Sequence, residues 1–349
     1  MIKIFNKYLR YFNDLLDKKR IKKYDSGDAS KRDFELVSTR NYEVQCMDLF
    51  EEVFKEPMTK EFWNWKYAPH GMKWRGVCAV KERKVIGHYN GVVRNIIYFG
   101  EWKKVVAAGD TMVSPKARGG FKKNSPFYTM TSSWMLSNVG QKKAFYLVFG
   151  FPNRRAMSLA EKVGLYKEVD TTTEIVWNIS ATNVTTEWNL EKYVVNEKTN
   201  AEVLEVWRAM IVDFKGGIIS VRNSDYLTNR YIKHPKFAYE LFLVRDQQKK
   251  LQAVFVLKKE NDKMLLMDVV AKKENFPLAI AGAFKVAHEK QCKNLKCWIT
   301  SSKAQLFDHN NAVLKQIDVS IATSSIIPGF DPMSTKDKWF LMYGDTDFI

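Results

Sequence analysis

The pattern of apolar and polar positions divides the chain into a helical arm and two successions of strands and helices. In residues 1–33, Phe5, Tyr8, Leu9, Phe12, Leu15 and Leu16 recur at helical spacing among Lys3, Lys7, Arg10, Lys18, Lys19 and Arg20. That spacing predicts a basic amphipathic helix, ended by the polar run DSGDASKRD. From Phe34 onward FELVSTR reads as a strand, and Tyr42 to Phe54 and Thr59 to Tyr67 have helical periodicity. VCAVK and VIGHYNGVVRNIIYF form a hairpin through Glu82-Arg83-Lys84, and FGEWKK turns into the strand VVAAGDTMV. A helix (PFYTMTSSWMLSNV), a strand (AFYLVFGF) and an Asn-led helix (PNRRAMSLAEKVGLYKEV) follow, and TTTEIVWNIS closes the set near Ser180.

The polar stretch Ala181 to Thr199 reads as a connection. The expected organisation is an arm at 1–33, a first lobe at 34–180, the connection at 181–199 and a second lobe at 200–349. The second lobe repeats the first weakly. WKYAPH and RYIKHP share a basic-Tyr pair, with tyrosines at 67 and 231, and ten residues after each a strand begins. AAGDTMV then places Asp110 where LLMDVVA places Asp268, the order expected of a diverged duplication.

At 349 residues two domains are the natural expectation, and 46% hydrophobic content is ample for folded cores. No apolar run approaches the roughly 20 residues of a membrane span. MIKIFNKYLRYF is charged throughout, unlike a secretory signal peptide. Cys46, Cys78, Cys292 and Cys297 are few, and CKNLKC has no histidine or second pair nearby. They read as reduced thiols without a metal role, which points to the cytoplasm. The net charge of +17 suits an anionic partner: coenzyme A, a nucleotide-sugar, an anionic membrane face or RNA. A solvated lysine-rich surface accounts for it equally well. Residues 2–20 would lie on an anionic membrane surface, placing the chain at the membrane periphery, or dock on the chain's own body or on a second copy. The docked arrangement is the commoner use of such a helix.

Val105 to Val169 carries the most specific chemistry. A strand runs into a basic glycine turn and a helix start, an arrangement built for phosphate. Gly119 and Gly120 would let the backbone approach closely. Arg118, Lys122 and Lys123 add charge beside Asn124. Ser125-Pro126 fits an N-cap followed by proline at the first helical position. After Val270 the second lobe reads AKKENFPLAI, with no glycine before its helix, so the cofactor belongs to the first lobe.

The segments GDTMVSPKARGG, GFPNRRAMSLAEKVGLYKEV and KWFLMYGDTDFI, in this order, resemble the GNAT superfamily of N-acyltransferases. The nearest type is the two-lobed one associated with bacterial polysaccharide biosynthesis, and the resemblance covers Phe34 to the C-terminus. It implies an α+β (α/β three-layer) architecture of two tandem GNAT-like lobes. Each would have a mixed, mostly antiparallel central sheet flanked by helices, and the second would be degenerate. It implies acyl transfer from acetyl-CoA or another acyl-CoA, with no metal. The acceptor would be an amino group of a small, sugar-type molecule that attacks the thioester directly. It places the backbone of Thr111, Met112 and Val113 on the pantetheine amides, and Asn153 on the pantetheine arm. The turn departs from the usual Gln/Arg-x-x-Gly-x-Gly/Ala pattern, because KARGGF puts Phe121 in the last small position. Ala160 stands where a tyrosine acid is usual, four residues before Gly164, and neither Tyr128 nor Tyr166 takes that place.

Two groups are candidate bases. Asp110, on the strand ahead of the turn and partly buried by Trp and Phe neighbours, would have a raised pKa. Its alternative is a structural carboxylate, which the recurrence of Asp268 supports. His88 has a natural pKa suited to base work, although a lone strand histidine is more often structural. Trp63, Trp65 and Tyr67 border the acceptor cleft in the resemblance, with Tyr226 and Arg230 in the second lobe. Their alternative is an aromatic cluster packing helices on the sheet. Two other functions remain open. One is an aminoacyl-tRNA-dependent transferase of the two-lobed kind, using the basic surface for RNA. The other is a non-catalytic GNAT-fold binding protein.

Overall fold

The computed structural model describes residues 19, 32–68, 76–118, 122–179, 188–307 and 312–346. The expected N-terminal helix, Gly119, Gly120 and Phe121 lie outside the described residues. The chain divides into two compact units. The first comprises Met1–Arg94, Lys104–Glu168 and Ala322–Met333; the second comprises Asn95–Lys103, Val169–Ile321 and Ser334–Ile349. The linear boundary expected near Ser180 therefore falls near Val169, and two stretches change units. Strand pairing between distant residues is the reason. Ala322 pairs with Gly150 and Ile96 with Ser220, links to which composition along the chain is blind.

In the first unit, β1 (Glu35–Ser38), β2 (Val77–Lys81), β3 (Lys84–Tyr98), β4 (Glu101–Val113) and β5 (Val148–Gly150) lie in that spatial order. The Glu82-Arg83 turn has both residues at positive φ, which closes the β2–β3 hairpin as the sequence predicts. The β3–β4 turn falls at Phe99-Gly100, so β4 begins four residues before the expected Val105. Side-chain alternation along β2 sorts the core onto two faces. Val77 and Ala79 join Tyr89, Val106, Met130, Trp134 and Met157 beneath α3 (Pro126–Asn138) and α4 (Arg154–Lys162). Cys78 and Val80 join Cys46, Leu49, Trp63 and Met112 beneath α1 (Glu43–Phe54) and α2 (Lys60–Tyr67). The result is the three-layer arrangement expected.

The helix ends follow local chemistry. Thr59 caps α2 by accepting from Phe62 N, Ser125 caps α3 with Pro126 at its first position, and Asn153 caps α4. Gly164, at φ 76°, ends α4 where the chain must turn left-handed.

In the second unit the strand order is β6 (Tyr166–Asn178), β12 (Asn294–Thr300), β11 (Lys263–Ala271), β10 (Leu251–Glu260), β9 (Glu240–Arg245) and β7 (Asn189–Lys192). The expected connection thus contains a strand: β7 pairs antiparallel with β9. α5 (Glu197–Asp213) and α7 (Phe276–Glu289) pack on this sheet around Phe255, Val244 and Ile280. Between them come β8 (Ile218–Ser220) and α6 (Ser224–Leu227), which runs into a π turn at Thr228–Ile232. The remaining strands are β13 (Val313–Ser324) and β14 (Trp339–Phe340). Among the described residues no helix is long and apolar enough to cross a membrane.

Candidate functional site

β4 and β5 are parallel neighbours in register at Val106↔Val148 and Ala107↔Phe149, and Tyr146 N donates to Lys104 O at 2.8 Å just before them. Beyond Gly150, β5 gives way to the Asn153-capped α4, while β4 continues to Val113. Along this free stretch Ala108 and Val113 are half-buried and Thr111 is exposed. Midway, Asp110 sits at φ 47°, in the left-handed region, so the strand is kinked there. Aspartate tolerates that conformation better than most residues.

The kink is held from two sides. The Asp110 main-chain oxygen lies 2.9 Å from His88 Nδ1. A carbonyl can only accept, so Nδ1 carries the proton and Nε2 is the lone-pair nitrogen. That Nε2 is buried without a hydrogen-bond partner. Burial holds the imidazole below its ordinary pKa, so the ring is neutral at pH 7. The Asp110 side chain receives Lys66 Nζ at 2.6 Å on one oxygen and the Tyr67 hydroxyl on the other. The polar neighbours of Asp110 are therefore an ammonium and a phenol, with the Trp63 ring packed on that phenol at 4.7 Å.

The second unit repeats this triad. Tyr231 donates to Asp268 Oδ2 at 2.8 Å, as Tyr67 does to Asp110, and a cation again occupies the other oxygen. The cation comes from elsewhere: Arg222 Nε lies 2.7 Å from Asp268 Oδ1, and its NH2 group lies 2.5 Å from Asp345. Burial works against the Arg222 charge, but Asp268 and Asp345 hold the guanidinium above its ordinary pKa. Arg230, the register partner of Lys66, instead donates to the carbonyls of Gly344 and Thr346, each at 2.9 Å. The Tyr67/Tyr231 and Asp110/Asp268 correspondence read from the sequence is thus matched by equivalent hydrogen bonds.

The residues expected at an acceptor cleft separate. Trp63 and Tyr67, four apart on α2, face the sheet and are buried, with Trp63 against the His88 ring at 5.6 Å. Arg230 is buried under the C-terminal carbonyls. Trp65, on the other face of α2, is half-buried and stacked on Phe62. Tyr226 is half-buried, but its hydroxyl is bonded to Asp268 at 3.0 Å. Trp63, Tyr67 and Arg230 are buried, because helical spacing turns the first two inward and the C-terminal segment covers the third. Lys66, next to Tyr67 and opposite in charge to Asp110, is the site residue that sequence reasoning underused.

On the cofactor side, Met112 is a core residue, so only its backbone is available to a ligand. Arg118 is exposed, and its Nε reaches back to Val113 O at 3.3 Å. Lys122, Lys123 and Asn124 are exposed ahead of the buried Ser125 cap. Asn153 spends its amide oxygen on Ala156 N at 2.9 Å and is itself exposed. Ala160 is buried in the α4 packing. Tyr166 and Tyr89 bond through their hydroxyls at 2.8 Å, and burial pushes both phenols up. No acid emerges from these positions.

The equivalent opening in the second unit is filled. β11 and β12 pair in parallel from Lys263↔Asn294 to Leu266↔Cys297 and then part. Into that gap runs the C-terminal segment. Ile299 bridges Met342, Thr300 N donates to Leu341 O at 3.1 Å, and Gly344 lies against Met267 O and Asp268. Among the described residues no cluster of His, Cys, Asp and Glu could hold a metal ion.

No protein-family profile matches the chain, and no curated protein sequence matches it. Solved structures do. A conserved protein of unknown function from Enterococcus faecalis, a probable N-acyltransferase, superposes with a TM-score of 0.64 at 11% identity, over 86% of this chain and 74% of that one. A GCN5-related N-acetyltransferase from Kribbella flavida gives 0.60 at 12% identity, over 85% and 72%. Saccharomyces cerevisiae N-myristoyltransferase with bound myristoyl-CoA gives 0.55 at 12% identity, over 91% and 87%. The chain has the mixed α+β, GNAT-like fold that these N-acyltransferase structures share.

Proposed function

We propose that the chain is an acyl-CoA-dependent N-acyltransferase whose cofactor lies in the first unit. The observation that carries this reading is the parting of β4 from β5 with a kink at Asp110, followed by a basic segment and the capped start of α3. A parted parallel pair exposes strand amides to the pantetheine amides. The start of α3, with Arg118, Lys122 and Lys123 ahead of it, offers charge and N–H groups to the pyrophosphate. A backbone N–H near Thr111 is placed to steady the oxyanion that develops on the thioester carbonyl. The acceptor is an amino group on a small, sugar-type molecule, which must lose a proton as it attacks. Neutral His88, with an uncommitted Nε2, has the protonation state of a base. Asp110 has both carboxylate oxygens already engaged and acts by holding the kink. Ala160 supplies no acid for thiolate departure, because its side chain is apolar. N-myristoyltransferase, one of the fold neighbours, carries a long acyl chain, so chain length belongs in the test.

The test is a thermal-shift titration with acetyl-CoA, myristoyl-CoA and adenosine. A ligand at 100 times its dissociation constant adds roughly 2.7 kcal/mol of stability. A saturable rise with either acyl-CoA, absent with adenosine and reduced in Arg118→Glu, is expected. No rise at millimolar ligand refutes the proposal and moves the weight to the RNA-dependent and binding-protein readings.

A further inference from the structure

The tip of the β3–β4 hairpin presents aromatic side chains to solvent. Trp102 is 55% and Phe99 39% exposed, and the Tyr98 ring lies edge-on to Phe99 at 4.8 Å. The turn itself makes this placement unusual. Phe99 has φ 48° and Gly100 φ 86°, a pair of positions that Asn, Asp or Gly adopt at lower cost than phenylalanine. The tip is also braced. Phe99 N donates to Gly217 O at 2.8 Å, and Ile218 N donates to Lys338 O at 2.8 Å. Phe99, Gly217 and Lys338 thus stand in one row across β3, β8 and β14.

That row ends in ammonium groups. Lys215 is exposed two residues before Gly217, and Lys336 and Lys338 are exposed in the turn before β14. Lys273 Nζ lies over the Phe214 ring at 4.6 Å, and Lys303 Nζ donates to Asp337 O at 2.7 Å. Lys303 feels the charges of Asp170 and Asp337, Asp213 accepts from Lys273 N, and at the tip itself Glu101 pairs with Lys103 at 2.6 Å, so five lysines stand against three aspartates with the tip pair neutral. The end of the second unit that carries exposed aromatic rings therefore carries an excess of positive charge.

We infer that this aromatic tip and its lysine row form a contact for an anionic lipid surface. Aromatic rings with lysines beside them match an interface that is apolar below the headgroups and negative at them. The inference is independent of the acyltransferase reading and of residues 2–20.

The test is co-sedimentation of the full chain with phosphatidylcholine vesicles, with and without 30 mol% phosphatidylglycerol. Wild type should bind the anionic vesicles and release at high salt. The double variant Phe99→Glu/Trp102→Glu should bind at least tenfold more weakly, with an unchanged melting temperature because both positions are exposed. Lys215→Glu/Lys338→Glu should lose the preference for anionic lipid. Equal binding by wild type and the aromatic double variant overturns the inference, as does wild-type binding that ignores lipid charge or is absent. A shift in oligomeric state caused by the tip substitutions, with lipid binding unaltered, would assign the tip to a second copy instead.

Discussion

Replacing Asp110 by asparagine separates the two roles open to that carboxylate. The Lys66 and Asp110 side chains are 2% and 8% exposed and 2.6 Å apart. Asparagine keeps an oxygen for the Tyr67 hydroxyl but removes the carboxylate charge that faces the buried Lys66 ammonium. Removing one partner of a buried ion pair costs about 3–5 kcal/mol. At 2–4 °C per kcal/mol, as for domains of 150–250 residues, the first unit should melt about 6–20 °C lower. The double variant Lys66→Met/Asp110→Asn removes both charges at similar volume and should recover all but about 1–2 kcal/mol. Urea unfolding of wild type, both single variants and the double variant closes the cycle. A single variant that unfolds with wild type would refute the argument, because Lys66 could not then depend on Asp110. Acyl transfer measured on the recovered double variant decides the rest. Activity near wild type makes Asp110 a positioning residue, and lost activity in a stable protein makes it the proton acceptor.

Coenzyme A should bind with a stoichiometry of one per chain in calorimetry, because the second unit's strand gap is filled by Met342 to Thr346; two sites would refute that assignment. Gly344→Ala should destabilise the chain by about 1–3 kcal/mol in urea, since a Cβ there would overlap the Tyr231 hydroxyl. Ser125→Ala should cost about 1 kcal/mol of stability through the lost α3 cap, and weaken acyl-CoA binding beyond that if the helix start holds phosphate. Burial depresses His88, and burial with nearby Arg230, Lys258 and Lys236 brings His234 down to about 3. A histidine depressed in the folded state favours folding above its unfolded pKa near 6.5 and loses that contribution as pH falls toward its folded value. Urea midpoints should therefore drop from pH 7 toward pH 4, and His88→Gln should flatten part of that slope.

The local elements were largely legible. Thr59, Ser125-Pro126, Asn153 and Gly164 mark helix ends by short-range hydrogen bonding and backbone freedom, which the chain carries wherever it folds. The β2–β3 hairpin and the two strand-helix successions likewise follow from periodicity. The weak Tyr67/Tyr231 and Asp110/Asp268 repeat proved to be the trace of a shared hydrogen-bond pattern. A cleft role and a packing role were both open for Trp63 and Tyr67, because composition shows that they are aromatic, while only the packing of α2 shows that they face inward.

The sequence by itself determined the element order, the helix caps and the basic run before α3, since each rests on residues within a turn or two of one another. Tertiary structure alone decided three things. It assigned Ala322–Met333 to the first unit and Asn95–Lys103 to the second, through strand pairs far apart in the chain. It gave Asp110 the partners Lys66 and Tyr67, and gave Asp268 the more distant Arg222. It laid the C-terminal segment into the gap between β11 and β12. Each depends on which distant groups meet when apolar faces close and buried charges must find counter-charges, and local pattern carries no record of that choice.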